Sequence, residues 1–366
     1  MNTYNIFDTR VMIRMLEQMY TPRTFLRDTF FANRVNSESE YVDIDIRKGK
    51  RRVAPFVSRK LGHTVVERLG FTTQSIKPEL IAPMMITTAE DVMKRSAGES
   101  IYGAKSPNAR MGEILGRDMR DMNDMITRSE EWMCSQVLYN GKIVMKIEGE
   151  GTREIDFSNE WHFDTVDWED VKTSCPNRNF RNWKSLISRW SGLNPDLAIV
   201  GANAMEWLYL SEEWREEQKF FQTSFANYQP KLIQDGVTFV GYIPSIGLEL
   251  YKYDEWSIDP ADDIEKPLAD PNKIVIGCTQ AYTSLIYGMI YDVAIGSFAA
   301  PRVPKSFIQQ EPSARLLKLS SAPIAVPHQI DAFLTITACT RAPTEQERVA
   351  ILAAQKEPVS ASKKGA

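Results

Sequence analysis

The sequence predicts an α+β protein, and three stretches carry that expectation. A helix-period run spans Ser106 to Gly141. Tyr41-Val-Asp-Ile-Asp-Ile46 alternates apolar and acidic residues, as a strand with two unlike faces does. From Asn194 onward, short apolar strand-like runs are interspersed with helical ones.

The long run organises the rest of the chain. Ser106-Pro107 is a helix start: a hydroxyl cap, then a residue whose missing N–H costs nothing in the first turn. Leu115, Met119, Met122, Ile126, Met133 and Val137 recur at helical steps and form the packing stripe, which Met125 and Trp132 widen. Arg117, Asp121, Asp124, Arg128 and Glu131 fall on the other side, with Asp124 one turn before Arg128. Asn140-Gly141 supplies a left-handed stop. Some thirty residues make a rod about 45 Å long, which needs a sheet to lie on.

Length and composition bound the rest. A chain of 366 residues predicts about two domains, and 43% hydrophobic with 25% charged residues is ordinary for a folded protein. A net charge of -4 argues against a dedicated nucleic-acid binder, though not against a protein that encloses nucleic acid. Cys134, Cys175, Cys278 and Cys339 are scattered and read as reduced thiols. No apolar run reaches the roughly eighteen residues of a membrane span, and Met1–Arg10 lacks the apolar core of a signal peptide.

Taken in order, residues 1–34 hold an apolar helical segment at Val11–Tyr20 and then Phe25, Leu26, Phe30 and Phe31. They are too few to bury their own apolar face, so they are expected to lie against something else as an arm. Residues 35–95 look extended, with Pro55, Pro78 and Pro83 confining strands to edges. Arg47, Lys48, Lys50, Arg51 and Arg52 around one Gly read as the tip of a long hairpin that projects toward a neighbouring chain. After the helix, Gly149-Glu150-Gly151 joins two strands in a hairpin over 142–157. Phe180–Trp190 resembles a short amphipathic helix. Leu197–Val200, Val237–Ile243, Leu248–Tyr253 and Lys273–Cys278 read as strands, and Ala204–Leu210 and Ser211–Phe221 as helices. Asp259–Pro271 reads as a turn-rich loop, and Pro301, Pro304 and Pro312 mark a connector. Ala314–Ala325 and Ala332–Ala338 are the last strands, before a polar tail with one weak helical stretch.

The chemistry-bearing residues favour bland readings. No phosphate-binding glycine loop, dinucleotide fingerprint, His-Glu-x-x-His or Gly-x-Ser-x-Gly occurs. His162 with Asp164 and Asp167 spells a metal set on paper, and the acid cluster Asp167, Glu169 and Asp170 a source of paired carboxylates, but a solvated turn accounts for both. The basic run 47–52 has two readings, a phosphate-binding patch or a tip that pairs with acidic residues of a neighbour. The second is preferred, since strands flank it and no base-stacking aromatics are interleaved. A DNA-binding protein, a non-catalytic mixed α/β assembly protein and a mixed α/β enzyme built on 197–291 remain the alternatives.

The order of arm, hairpin excursion, long helix, hairpin, inserted α/β unit and returning strand resembles the lambda-type tailed-phage major capsid protein family, the phage capsid protein E family. The stretches that carry it are Thr24–Phe31, Gly141-Lys142 with Met145 and Ile155-Asp156-Phe157, Gly277–Gln280 with Tyr287-Gly288, and Ser320–Pro323 with Asp331-Ala-Phe333. The resemblance implies an HK97-like (Hong Kong 97) fold. Its parts would be an N-terminal arm (1–34), an extended loop (35–95), and a peripheral domain (96–189) with spine helix 106–140. An axial domain (190–297), a return to the peripheral domain (298–340) and a tail (341–366) would follow. The peripheral sheet would include the 142–157 hairpin and the strand near 332–338. It implies a non-enzymatic protein without cofactor or metal, assembled in the host cytoplasm as pentamers and hexamers into an icosahedral virion capsid. That shell would enclose double-stranded DNA without sequence-specific binding and touch no membrane. A scaffold protein, a portal and in some cases a decoration protein would be its partners.

Overall fold

The computed structural model describes residues 7–19, 24–47, 71–94, 106–147, 149–157, 161–171, 173–224, 231–234, 236–259, 264–294, 296–311 and 313–354. Two short helices open it: α1 (Thr9–Gln18), where Asp8 accepts the Arg10 N–H at 2.8 Å, and α2 (Phe25–Phe30). Strands β1 (Arg34–Asn36), β2 (Val42–Arg47), β3 (Phe71–Ile76) and β4 (Met84–Thr88) follow. A capping box between Thr88 and Asp91 starts α3 (Ala89–Met93). Then comes α4 (Pro107–Asn140), 34 residues or about 51 Å at the helical rise. Ser106 Oγ accepts the Ala109 N–H at 3.3 Å at its start, and Gly141 ends it at φ 66°. Next are β5 (Lys142–Ile147), β6 (Gly151–Asp156), β7 (Phe163–Thr165), α5 (Pro176–Ser191), β8 (Leu197–Val200), α6 (Ala202–Leu210) and α7 (Glu212–Ser224). Strands β9 (Lys231–Gln234), β10 (Val237–Ile243), β11 (Leu248–Tyr253), β12 (Trp256–Asp259), β13 (Ile264–Pro267) and β14 (Lys273–Gly277) succeed them. The chain closes with β15 (Thr283–Tyr287), β16 (Ile290–Asp292), β17 (Gly296–Phe298), β18 (Val303–Gln309), β19 (Ala314–Ser320), β20 (Pro323–Pro327), β21 (Phe333–Thr337) and α8 (Glu345–Ala354).

These elements form two compact units. The first comprises Met1–Ile44, Thr73–Cys134 and Thr283–Val326; the second comprises Asp45–Thr72, Ser135–Tyr282 and Pro327–Ala366. In the first, Leu115, Met119, Met122 and Ile126 of α4 pack with Met12 of α1 and with Leu317 and Leu319 of β19. β19 is the middle strand of the sheet β18-β19-β4, so the rod does lie on a sheet, one whose strands come from just before the helix and from nearly two hundred positions after it. Each fully buried Leu, Ile or Met side chain there contributes about 1.5–3 kcal/mol. A second sheet, β1-β15-β20, sets Arg34 opposite Leu285 in parallel register.

The second unit is built on a mixed seven-stranded sheet in the order β7-β21-β14-β8-β11-β10-β9. Leu197–Val200 of β8 and Ile274–Gly277 of β14 are buried throughout, as strands covered on both faces are. Gly201 at the start of α6 lies so close to the turn before β14 that an added Cβ would sit 2.5 Å from the carbonyl oxygens of Asp270 and Pro271. Pro271 O accepts the Asn203 and Ala204 N–H groups at 2.9 and 3.1 Å, which satisfies the first turn of α6.

Several expectations need correction. The supposed connector holds β18, and the supposed loop 259–271 holds β13, which pairs with β12. Ala314–Ala325 is two strands separated at Ser321-Ala322. Among the described residues the 142–157 hairpin pairs only with itself, as β5-β6, whereas β21 lies in the seven-stranded sheet beside β14. Met125 is exposed rather than part of the stripe, and Glu131 is buried rather than solvated.

Candidate functional site

The chemistry of the first unit converges on one turn of α4. Glu130 and Glu131 are both buried there. Glu131 accepts the backbone N–H groups of Leu26 and Arg27 at 2.7 and 2.8 Å, so its carboxylate satisfies the first turn of α2 and opposes its N-terminal dipole. Glu130 takes Arg27 Nη1 at 2.9 Å on one oxygen and Arg302 Nη1 at 2.7 Å on the other. Arg302 also donates to Asn123 Oδ1 at 3.0 Å and to Ser321 Oγ at 3.1 Å, and stands over the Tyr287 ring. Two guanidinium and two carboxylate groups thus balance in a dry setting, the condition for burying charge at tolerable cost. Burial works against the Arg27 charge, but Glu130 and Asp28 outweigh it and hold the guanidinium above its ordinary pKa. Burial, with Glu130 second, pushes the Tyr287 phenol up.

This places the arm residues. Phe25, Leu26, Phe30 and Phe31 are buried within the single chain instead of being offered to a neighbour. The reason is the Glu130–Glu131 turn, which fixes α2 by its backbone and by Arg27 while its apolar side chains find cover. Thr283 Oγ1 adds a hydrogen bond to Phe30 O. The helical period alone puts Glu131 on a polar face. The available signal was Arg27 inside the otherwise apolar Phe25–Phe31 and a pair of adjacent acids beside Met133 and Cys134.

The other candidate residues are placed as follows. Leu115, Met119, Met122, Ile126, Met133 and Val137 are all buried. Arg47 ends β2 by its backbone, whereas Lys48, Lys50, Arg51 and Arg52 lie outside the described residues. Glu169 is held below its ordinary range by hydrogen bonds from Thr340, whose N–H and hydroxyl it accepts at 2.6 Å each. Asp167 and Asp170 cap their own turns. His162 pairs with Asp331 at 3.0 Å and stacks on Trp190. Burial pushes the Cys278 and Cys339 thiols up to about 12, far from a nucleophile's range. Among the described residues no group of three His, Cys, Asp or Glu side chains is arranged to hold a metal ion, and no helix is long and apolar enough to cross a membrane.

Exposed apolar side chains gather on ribbon and sheet faces. In the first unit Ile86 and Phe307 flank Leu316 across the β18-β19-β4 sheet, with Met84 beside them. In the second, the β12-β13 ribbon exposes Trp256, Ile258 and Ile264. Such surface is a liability in a lone molecule and an asset in an assembly.

Comparison with known proteins decides the class. The model of the family described as phage major capsid protein E matches residues 8–338. The chain belongs to the phage major capsid protein E family. It is 25% identical to the major capsid protein of Enterobacteria phage P21 and, at the same identity, to the P21 prophage-derived major head protein of Escherichia coli O6:H1. Each alignment covers 90% of this chain and 98% of the relative. Among solved structures, a prophage capsid protein from E. coli CFT073 superposes with a TM-score of 0.67 at 20% identity, over 91% of this chain and 99% of that one. A phage-related protein from Bordetella bronchiseptica RB50 superposes with a TM-score of 0.50 at 10% identity, over 89% and 96%. The fold is therefore the HK97-like α+β capsid fold. As a major capsid protein the chain is a structural component of a phage virion, one that self-assembles into a multimeric shell, and not an enzyme.

Proposed function

We propose that this capsid protein forms pentamers and hexamers that close into the icosahedral head of a tailed phage around double-stranded DNA. Residues 1–34 act as the amino-terminal arm, fastened on α4 through Glu130 and Glu131, and 35–95 as the extended loop, rooted on its own subunit where β4 pairs with β19 and lying over an adjacent subunit beyond that root. Residues 96–189 and 298–340 form the peripheral domain on its spine helix, 190–297 the axial domain near the symmetry axes, and 341–366 the tail. The basic tip Arg47, Lys48, Lys50, Arg51 and Arg52 pairs with acidic groups of the neighbour. The packaged DNA is confined by the shell and not gripped, in keeping with the net charge of -4. A scaffold protein and a portal direct closure in the host cytoplasm, and a decoration protein is a further partner of the finished shell.

The observation that carries this reading is the family match over residues 8–338, supported by the apolar ribbon and sheet faces left uncovered in one chain. Obligate assemblies bury upward of about 2,000 Å² per contact, and closed symmetry multiplies weak contacts. Negative-stain electron microscopy of the expressed protein, with scaffold where needed, is expected to show rings or closed shells. Featureless monomers under all assembly conditions would overturn the reading. The double variant Arg51→Glu/Arg52→Glu is expected to lower assembly yield with an unchanged far-ultraviolet circular dichroism spectrum; an unchanged yield removes the tip from the interface.

A further inference from the structure

We propose that one face of the β12–β13 ribbon, built on Trp256, Ile258 and Glu265, seats the basic segment 48–70 of a second copy of this chain. It rests on the shell reading above and names the acidic surface that the tip meets. The register sets Trp256 opposite Pro267 and Ile258 opposite Glu265, so these four share one face. Trp256 is 52% exposed and Ile258 65%, an apolar surface that two strands leave for another segment to cover. Asp254 accepts Trp256 Nε1 at 3.0 Å and pairs with Lys252 at 3.4 Å, which holds the indole by its edge. Glu265 is its diagonal neighbour, at about 7–8 Å between such positions, so one arginine can lie over the ring and reach the carboxylate.

Charge on this face has one sign. Glu265 is its only ionisable side chain, exposed and without an ion pair or hydrogen bond among the described residues. The turn that joins the strands adds Asp262 and Asp263. The opposite face carries Ser257, Asp259, Ile264 and Lys266, and Lys266 already has a partner within the chain. The ribbon therefore holds no free cation to repel a basic segment. Acids elsewhere are answered locally. On α4, Asp118, Asp121 and Asp124 alternate with Arg117, Arg120 and Arg128. On α7, Glu213 and Glu216 share a cleft with Arg178 and Arg181. Glu154 pairs with Lys142, and Glu169 is held by Thr340.

The occupant has the matching chemistry. Residues 48–70 lie outside the described residues and join the end of β2 to the start of β3. They contain seven Lys and Arg residues against a single acid, Glu67, interleaved with Val53, Phe56, Val57 and Leu61. The chain as a whole carries -4, so its remaining residues are distinctly acidic. Some eleven residues out and eleven back reach at most about 36 Å, enough to pass from one subunit to the next. A basic, apolar segment on an acidic, apolar face is complementary on both counts.

The test is photo-crosslinking in assembled shells. Ile258→p-benzoylphenylalanine chain is mixed with isotope-labelled wild-type chain, assembled and irradiated. The captured peptide is expected to come from residues 48–70 and to carry the label in proportion to the mixture. A captured 48–70 peptide without label, a different segment, or no capture in intact shells overturns the proposal. Glu265→Lys is expected to lower shell yield about tenfold with an unchanged circular dichroism spectrum, because every subunit repeats the contact. A yield within about twofold of wild type overturns the role of Glu265 and the proposal with it. Hydroxyl-radical labelling of Trp256 needs no variant and is expected to fall when wild-type subunits enter shells. Intact shells with undiminished labelling overturn this proposal alone. Failure of the wild-type chain to assemble at all overturns the shell reading and this proposal with it.

Discussion

Arg27 Nη1 lies 2.9 Å from Glu130 Oε2, and the Glu130 side chain is wholly withdrawn from solvent. This pair ties the opening segment of the chain to the middle of its longest helix, and Arg302 closes it from the other side at 2.7 Å. Removing the carboxylate leaves Arg302 with neutral partners and Arg27 with only the partly exposed Asp28 carboxylate. Glu130→Ala is expected to destabilise the subunit by about 3–5 kcal/mol, the usual cost of orphaning a buried charge. Urea denaturation followed by circular dichroism measures it, and a loss below about 1 kcal/mol would refute the clasp.

Met122 sits at 0% exposure in the cluster that α4 forms with Met12, Leu317 and Leu319. Met122→Ala is expected to lower the unfolding free energy by about 2–5 kcal/mol, from lost burial and from the cavity left behind. Met125→Ala, one turn away and exposed, is the control and is expected to stay within about 0.5 kcal/mol of wild type.

Gly201 is required by space and not by dihedral angle. An added methyl group would meet backbone oxygen on two residues at 2.5 Å, and backbone cannot rotate away. Gly201→Ala is therefore expected to cost about 1–3 kcal/mol and to lower the melting temperature. A melting temperature at or above wild type would show that the turn before β14 yields freely.

Asp118 supplies a pH dependence. Burial first, and then the nearby Asp121 carboxylate, raise its pKa above 3.8, so the folded chain holds this proton more tightly than the unfolded chain. Stability from this group is therefore lost as pH rises from about 3.8 through the raised folded value, and the penalty persists at neutral pH. Asp118→Asn is expected to stabilise the subunit at pH 7, by less than about 1 kcal/mol because the site is partly solvated, and to give no gain below pH 3.8. Thermal melts at pH 7 and pH 3 decide it; a loss at pH 7, or an equal gain at both, contradicts the assignment.

The residues show why some of this was legible beforehand. Leu197–Val200, Val237–Ile243 and Leu248–Tyr253 have the bounds the sequence predicts, because short apolar runs between turn residues leave few alternatives. β18 was missed because Pro304 reads as a breaker. It is tolerated because β18 is the edge of its sheet, where one ladder bond fewer costs little. The first four residues of Phe333–Thr337 are buried with no polar alternation, since the strand lies between two others in a covered sheet.

The sequence by itself determined the long helix, the 142–157 hairpin, the mixed α/β character and the family, because each is written in local periodicity or in the order of motifs along the chain. Only the tertiary structure decided that the segment 25–31 lies on its own subunit, that Glu130 and Glu131 are buried, and that two faces of the β12–β13 ribbon are left bare. The physical reason is the same in each case. Periodicity says which side of an element is apolar or charged, but whether that side meets solvent, a distant stretch of the same chain or another copy depends on partners that local sequence does not name.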